Sequence, residues 1–209
     1  MSAIITPNLT TPSLPKEHAT GRPVLKCGDM FALFDTAGSF RSGLHEEGLY
    51  FDGTRFLSKK YIQVNGLSLS MMGAQVRSDG EELFVTYGNI PDAIPGLLEH
   101  SLSITERMFL SGESCYAEIV VANFSSTVVA LSLSIHLDAD YADIYEVRGM
   151  RRKARGALQK PQVSGEEIVL SYVGLDQEMR STQISFAPPP SQLGSETAEF
   201  KFNLAEGES

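Results

Sequence analysis

The chain has 209 residues, 42% hydrophobic and 21% charged, the balance of a globular domain with enough apolar mass for a buried core. Its net charge of −9 argues against a nucleic-acid surface, which needs clustered cations. No run approaches the ~18 apolar residues of a membrane span, and the N-terminus lacks the charged and apolar regions of a secretory signal. The expected location is therefore the cytoplasm, with Cys27 and Cys115 as reduced thiols.

In chain order, residues 1–20 are rich in Thr, Pro and Ser without periodicity and read as a flexible arm. Residues 21–209 read as one β-domain, in which short apolar runs alternate with Gly, Asn, Asp and Pro. Weaker strands are expected over 30–35, 57–64, 67–77 and 82–86, with turns at Asn65-Gly66 and Asp79-Gly80. Three strong runs follow, over roughly 98–110, 114–122 and 127–137, and their order suggests an antiparallel meander. In the last of them Val129, Leu131, Leu133, Ile135 and Leu137 share one pleated face, while Ala130, Ser132, Ser134 and His136 share the other. Further strands are expected over 168–174, 180–187 and 196–203, with turn signals at Ser164-Gly165 and Pro188-Pro189-Pro190. No window shows good helical periodicity. The expected fold is a large antiparallel two-sheet β-sandwich with little or no helix. The final strand lies close to Ser209, which reads as a domain cut from a longer protein.

Reactive constellations are sparse. His18, His45, His100 and His136 fall at no metal-ligand spacing, and no Cys-x-x-Cys accompanies them, so no metal is expected. There is no nucleophile elbow, phosphate loop or dinucleotide fingerprint, hence no cofactor. Ser13-Leu14-Pro15-Lys16 matches a Ser-x-x-Lys pattern but lies in the arm. The acidic run from Asp138 lacks the glycine and glutamate of an EF-hand loop, having Asp143 and Gly149 at those places. The sequons at Asn8 and Asn123 carry no weight in a cytoplasmic protein.

Two segments are dense in specified side chains. Gly48–Ser58 packs Tyr50, Phe51 and Phe56 around Asp52 and Arg55. It reads first as core aromatics with an Asp52–Arg55 pair fixing a turn, and second as a polar loop at a domain edge. Asp138–Gly149, carrying Asp138, Asp140, Tyr141, Asp143 and Arg148, extends the best core strand and is followed by Arg151, Arg152, Lys153 and Arg155. This charge pattern favours a salt-bridged loop or a docking surface. Arg55 and Arg148 are each expected to pair with a nearby carboxylate.

Together these segments resemble the N-terminal domain of bacterial-type glycogen debranching enzymes, the amylo-α-1,6-glucosidase-like proteins. The resemblance rests on a strand pair over Leu25–Asp35, the Gly48–Ser58 block and the Asp138–Gly149 block, and it spans roughly residues 22–156. One departure stands out: the family's aspartate before Thr54-Arg55 is Gly53 here, with Asp52 one place earlier. The resemblance implies a supersandwich-like β-domain preceding an (α/α)-barrel glycosidase domain that carries the catalytic acids. On that reading this chain has no catalytic residues, and its partner is the helical domain in cis. Tyr50, Asp52, Arg55, Asp138, Asp140, Tyr141, Asp143 and Arg148 are the candidate interface or glucan-contacting residues. The alternative is an independent α-glucan-binding module that stacks sugars on Tyr50, Tyr141 or Tyr145. A free-standing enzyme using unrecognised carboxylates is a third reading.

Overall fold

The computed structural model describes residues 22–41, 46–77, 80–88, 94, 96–98 and 101–209. The expected arm, His18, His45, His100 and the Asp79 turn residue lie outside the described residues. Strands β1 (Val24–Cys27), β2 (Met30–Leu33), β3 (Gly48–Phe51) and β4 (Thr54–Leu57) form an antiparallel sheet in that order. β5 (Lys59–Val64) and β6 (Leu67–Ser68) make a hairpin whose turn is Asn65-Gly66. β7 (Ser70–Val76), β8 (Glu82–Gly88), β9 (Leu102–Ser111) and β10 (Ser114–Asn123) form a second sheet ordered β10-β9-β8-β7. β11 (Val129–Asp138) pairs with β5 and is followed by one short helix, α1 (Ile144–Val147). In a further sheet, β12 (Ala157–Leu158) and β13 (Gln162–Ser164) flank one edge of β14 (Glu167–Val173), and β15 (Met179–Ser185) pairs with its other edge. β16 (Gln192–Leu193) and β17 (Thr197–Leu204) complete a five-stranded sheet ordered β16-β17-β11-β5-β6. No helix among the described residues is long and apolar enough to cross a membrane.

The chain is all-β, but it forms four small sheets and not the expected two-sheet sandwich. The cause is local. The four-residue strands β1–β4 pair in order with one another and so form a small sheet of their own. The expected meander breaks for a similar reason. β9 and β10 pair along their whole length, whereas β11 pairs with β5 and β17 instead of β10. Asn123, fully buried, makes the hand-over: its side-chain amide donates to the carbonyls of Thr127 (2.8 Å), Leu204 (3.0 Å) and Ala205 (3.1 Å). Those bonds fasten the end of β17 to the β10–β11 turn, so β11 enters a different sheet.

Strand alternation builds the core as expected. Leu131, Leu133, Ile135 and Leu137 are buried on β11, joined by Ile62 and Val64 on β5 and by Ala198 and Phe200 on β17. Residues from all four sheets belong to one continuous apolar cluster. They converge on a cavity of about 50 Å³ lined by Leu49, Leu57, Ile135, Met108, Cys115 and Ile184. Into it project Lys60 from β5 and Glu106 from β9, both buried and paired with each other, with Lys60 Nζ also donating to Met108 Sδ at 3.4 Å. Charges removed from water are tolerated only when paired, so this bridge fixes β5 against β9 in one register. Tyr87 adds a hydroxyl that donates to the Ala37 carbonyl at 3.0 Å, and burial raises its pKa.

Cys27 and Cys115 are free thiols. Burial pushes Cys115 up to about 12, despite the nearby Lys60 ammonium, while Cys27 is partly exposed. A thiol reagent at pH 8 is therefore expected to label Cys27 in the native chain and Cys115 only after denaturation. Two equally fast native thiols in a spectrophotometric assay would contradict this packing.

Candidate functional site: two segments locked at a strand edge

The two specified segments meet in space. Asp52 and Gly53, both at positive φ (44° and 70°), form the two-residue turn of the β3–β4 hairpin. Gly53 faces open space, so its role is the turn conformation, a positive φ that glycine adopts without strain. The segment read as a loop is thus a hairpin, with a bulge between Leu49 and Tyr50 that re-aims the side chains of β3.

Arg55 on β4 is 2% exposed, yet it does not pair with Asp52 as expected. Its guanidinium grips Asp140 in a two-pronged bond, Nε to Oδ1 at 3.1 Å and Nη2 to Oδ2 at 2.5 Å, and Nη1 donates to the Glu47 carbonyl at 3.1 Å. Burial alone would lower its pKa, but the Asp140 carboxylate outweighs burial and holds the guanidinium above its ordinary value. Gly48 makes room for this side chain. At φ 148° a Cβ there would stand 2.5 Å from Arg55 Cδ and 2.7 Å from the Leu57 carbonyl oxygen.

Backbone bonds continue the lock. Arg55 N–H donates to the Ala142 carbonyl (2.8 Å), Ile144 N–H to the Gly53 carbonyl (2.9 Å) and Ser58 N–H to the Asp138 carbonyl (2.8 Å). Tyr141, at φ 50° between Asp140 and Ala142, is a strained position for a bulky residue. Its ring is held by an edge contact to Phe56 and by stacking on Tyr172, and its hydroxyl donates to the Leu170 carbonyl at 2.7 Å. Thr182 joins the same point, donating to the Phe56 carbonyl at 2.6 Å. The anchor therefore ties β4, the segment after β11, and the β14–β15 pair together.

Of the sequence-predicted residues, Tyr50, Arg55 and Tyr141 are buried, and Asp138, Asp140 and Asp143 are half-buried. Tyr50 donates to the Glu46 carbonyl at 2.7 Å and stacks on Phe31, and burial raises its pKa although Arg55 opposes the rise. Burial also raises Asp138, whose carboxylate accepts from the Ala139 N–H. Asp143 caps α1, accepting from Tyr145 N–H at 2.8 Å, and pairs with Arg152 at 2.7 Å. Arg155 pairs with Glu146 at 3.0 Å, donates to the Asp140 carbonyl at 2.6 Å and lies over the Tyr172 ring. The salt-bridged loop is thus present, carrying the one turn of helix that periodicity does not reveal. Asp52 and Arg148 are exposed, and Arg148 forms no ion pair among the described residues, contrary to the expected pairing. It is the C-cap of α1, and the nearby carboxylates of Asp143 and Glu146 are engaged by Arg152 and Arg155. Thr182 and Tyr172 were hidden from sequence reasoning because they act through contacts with distant segments, and Glu47 because it acts through its backbone carbonyl, which no side-chain pattern reveals.

Among the described residues, no three His, Cys, Asp or Glu side chains come together as metal ligands. The fold and the lock describe an all-β domain whose most tightly specified point is a structural anchor joining two segments about 85 residues apart. A family model described as the N-terminal domain of (some) glycogen debranching enzymes matches residues 25–209, and the chain belongs to that family. The match continues well past the region around residue 156 where the sequence blocks end. No match was found among the curated proteins or the solved structures.

Breaking the lock has a defined cost. Asp140→Ala leaves a guanidinium buried without its carboxylate and is expected to destabilise the chain by about 3 kcal/mol in urea unfolding. Arg55→Lys does not restore the loss, because an ammonium cannot reproduce the forked contact. A change below about 0.5 kcal/mol for Asp140→Ala, the range of an ordinary surface substitution, would show that the anchor is not structural.

Proposed function

We propose that this chain is the non-catalytic N-terminal β-domain of an amylo-α-1,6-glucosidase-like debranching enzyme. It packs in cis on the helical catalytic domain and shapes one rim of the glucan cleft. The observation that carries the reading is the surface of the locked edge. Beside the anchor, Tyr145 and Met150 are 60% and 58% exposed, and Arg148 stands next to them without a carboxylate among the described residues. Large apolar side chains on a rigid, ion-paired frame, with a free cation between them, are the composition of a protein–protein contact. The family's description as an N-terminal domain of debranching enzymes supports a partner in the same chain. Stacking of sugars on Tyr50 or Tyr141 finds no support, since both rings are buried.

In the full-length enzyme, Tyr145→Ala combined with Arg148→Glu is expected to split one calorimetric unfolding transition into two. A single unchanged transition would contradict docking through this edge. The 209-residue chain alone is expected to release no glucose from a branched dextrin, and release would overturn the non-catalytic reading.

A further inference from the structure

The second sheet ends on a free edge. β10 pairs with β9 in ten successive residue pairs without a register shift, and no strand among the described residues pairs with its other side. Phe124 N–H donates to the Ser101 carbonyl at 2.8 Å, in register with that ladder. Bonded pairs alternate along an antiparallel ladder, so the even-numbered residues of β10 bond to β9 and the odd-numbered ones point N–H and C=O outward. The outward groups of Cys115, Ala117, Ile119 and Val121 have no hydrogen-bond partner among the described residues. At the end of the same edge, Asn123 N–H donates to the Glu208 carbonyl and Gly207 N–H donates to the Asn123 carbonyl, both at 2.9 Å. The edge accepts backbone there and lies open over the four preceding outward positions.

The side chains along this edge are apolar and incompletely covered. On β9, Glu106 and Met108 are fully buried, whereas their neighbours on β10, Ile119 and Ala117, share that face and are only half-buried. With Cys115 they line the cavity of about 50 Å³, whose lining continues through Thr182, Ile184 and Phe186 on the β15 side. On the opposite face of β10, Glu118 stands 3.6 Å from Arg107, whose closer partner is Glu82. The carboxylate on the edge strand thus shares its cation.

A row of unpaired N–H and C=O groups is a template for another strand, and sheets blunt long edges with proline, lysine, bulges or short strands. Other edges of this domain follow the rule: β6 and β16 have two residues each, and β7 has a bulge between Met71 and Gly73. Ser114–Asn123 has no proline, lysine or bulge, and Glu118 is its one charge. We propose that β10 receives an extended segment of the full-length enzyme from outside these 209 residues, which adds to the second sheet as a fifth strand. Its core-side residues are apolar and close over Ala117 and Ile119, and the residue facing Glu118 is a lysine or arginine. A second copy of this chain is a poorer match. The self-pairing that leaves Asn123 to Glu208 and Gly207 sets Glu118 against Glu118 across the symmetry axis, and like charges directly opposite repel. The source of the strand rests on the reading of this domain as part of a longer enzyme, but the contact uses no residue of the locked edge.

Hydrogen exchange at residue resolution, compared between the full-length enzyme and the 209-residue chain, tests this. The amides of Ala117 and Ile119 are expected to exchange rapidly in the chain alone and about a hundredfold more slowly in the enzyme. Those of Glu118 and Val120, bonded to β9, stay protected in both and report an intact sheet. In the enzyme, Glu118→Gln keeps the side-chain shape and is expected to speed Ala117 and Ile119 about twofold to fivefold. Equal rates at these two amides in enzyme and chain, slow exchange already in the chain alone, or no effect of Glu118→Gln would overturn the assignment. So would protection that rises with protein concentration, the mark of a second copy. Docking through the locked edge is read by calorimetry of the Tyr145 and Arg148 variants, so either reading can fail without the other.

Discussion

The Arg55 guanidinium is the point on which the organisation of this domain depends, because it is a permanent charge placed where water cannot reach it. A buried cation must be matched by an anion and by acceptors in fixed directions, and among the described residues both Asp140 oxygens and the Glu47 carbonyl help supply these. The two residues lie on opposite sides of Arg55 in the chain, Glu47 just before β3 and Asp140 just after β11. Satisfying Arg55 therefore forces β4, the approach to β3 and the segment after β11 into one arrangement. Gly48 must lack a side chain for the guanidinium to pass, and Tyr141 must hold a left-handed backbone beside Asp140. The anchor explains why two separate stretches of sequence are so dense in specified residues.

Much of this was legible in the sequence, for identifiable reasons. The alternation of leucines along β11 has no helical interpretation, and it located the core face and the polar face together. The turns at Asn65-Gly66 and Ser164-Gly165 follow from residues that favour tight hairpins. The sheet count was not legible, because period-two alternation says which side of a strand is buried and nothing about which strand lies beside it. The departure of β11 from β10 is decided by three bonds from the Asn123 side chain, whose acceptors include residues about 80 positions away. The partner of Arg55 was misread for a related reason. Asp52 was near in sequence, but the type of turn it forms directs it outward, and the carboxylate that fits is Asp140.

The resulting molecule separates two kinds of polar surface. At the edge after β11, charges are dense and mostly paired, and they frame exposed Tyr145 and Met150. Across the five-stranded sheet, hydroxyls, amides and one imidazole predominate, and the charged groups Lys59 and Glu199 are each paired, with Glu196 and Lys201. β11 connects them, since it carries Ser134 and His136 on the polar face of that sheet and leads directly through Asp138 to the anchored Asp140. Both features thus lie along β11 and the segment that directly follows it.

The central claim is that the two segments behave as a single rigid unit, and native-state hydrogen exchange tests it most directly. The amides of Arg55 and Ile144 bond across the segments, to the carbonyls of Ala142 and Gly53. They are expected to exchange only through global unfolding, with the same free energy as the central β11 amide of Leu133. Exchange of Arg55 and Ile144 through a low-energy local opening, while Leu133 stays protected, would contradict the account.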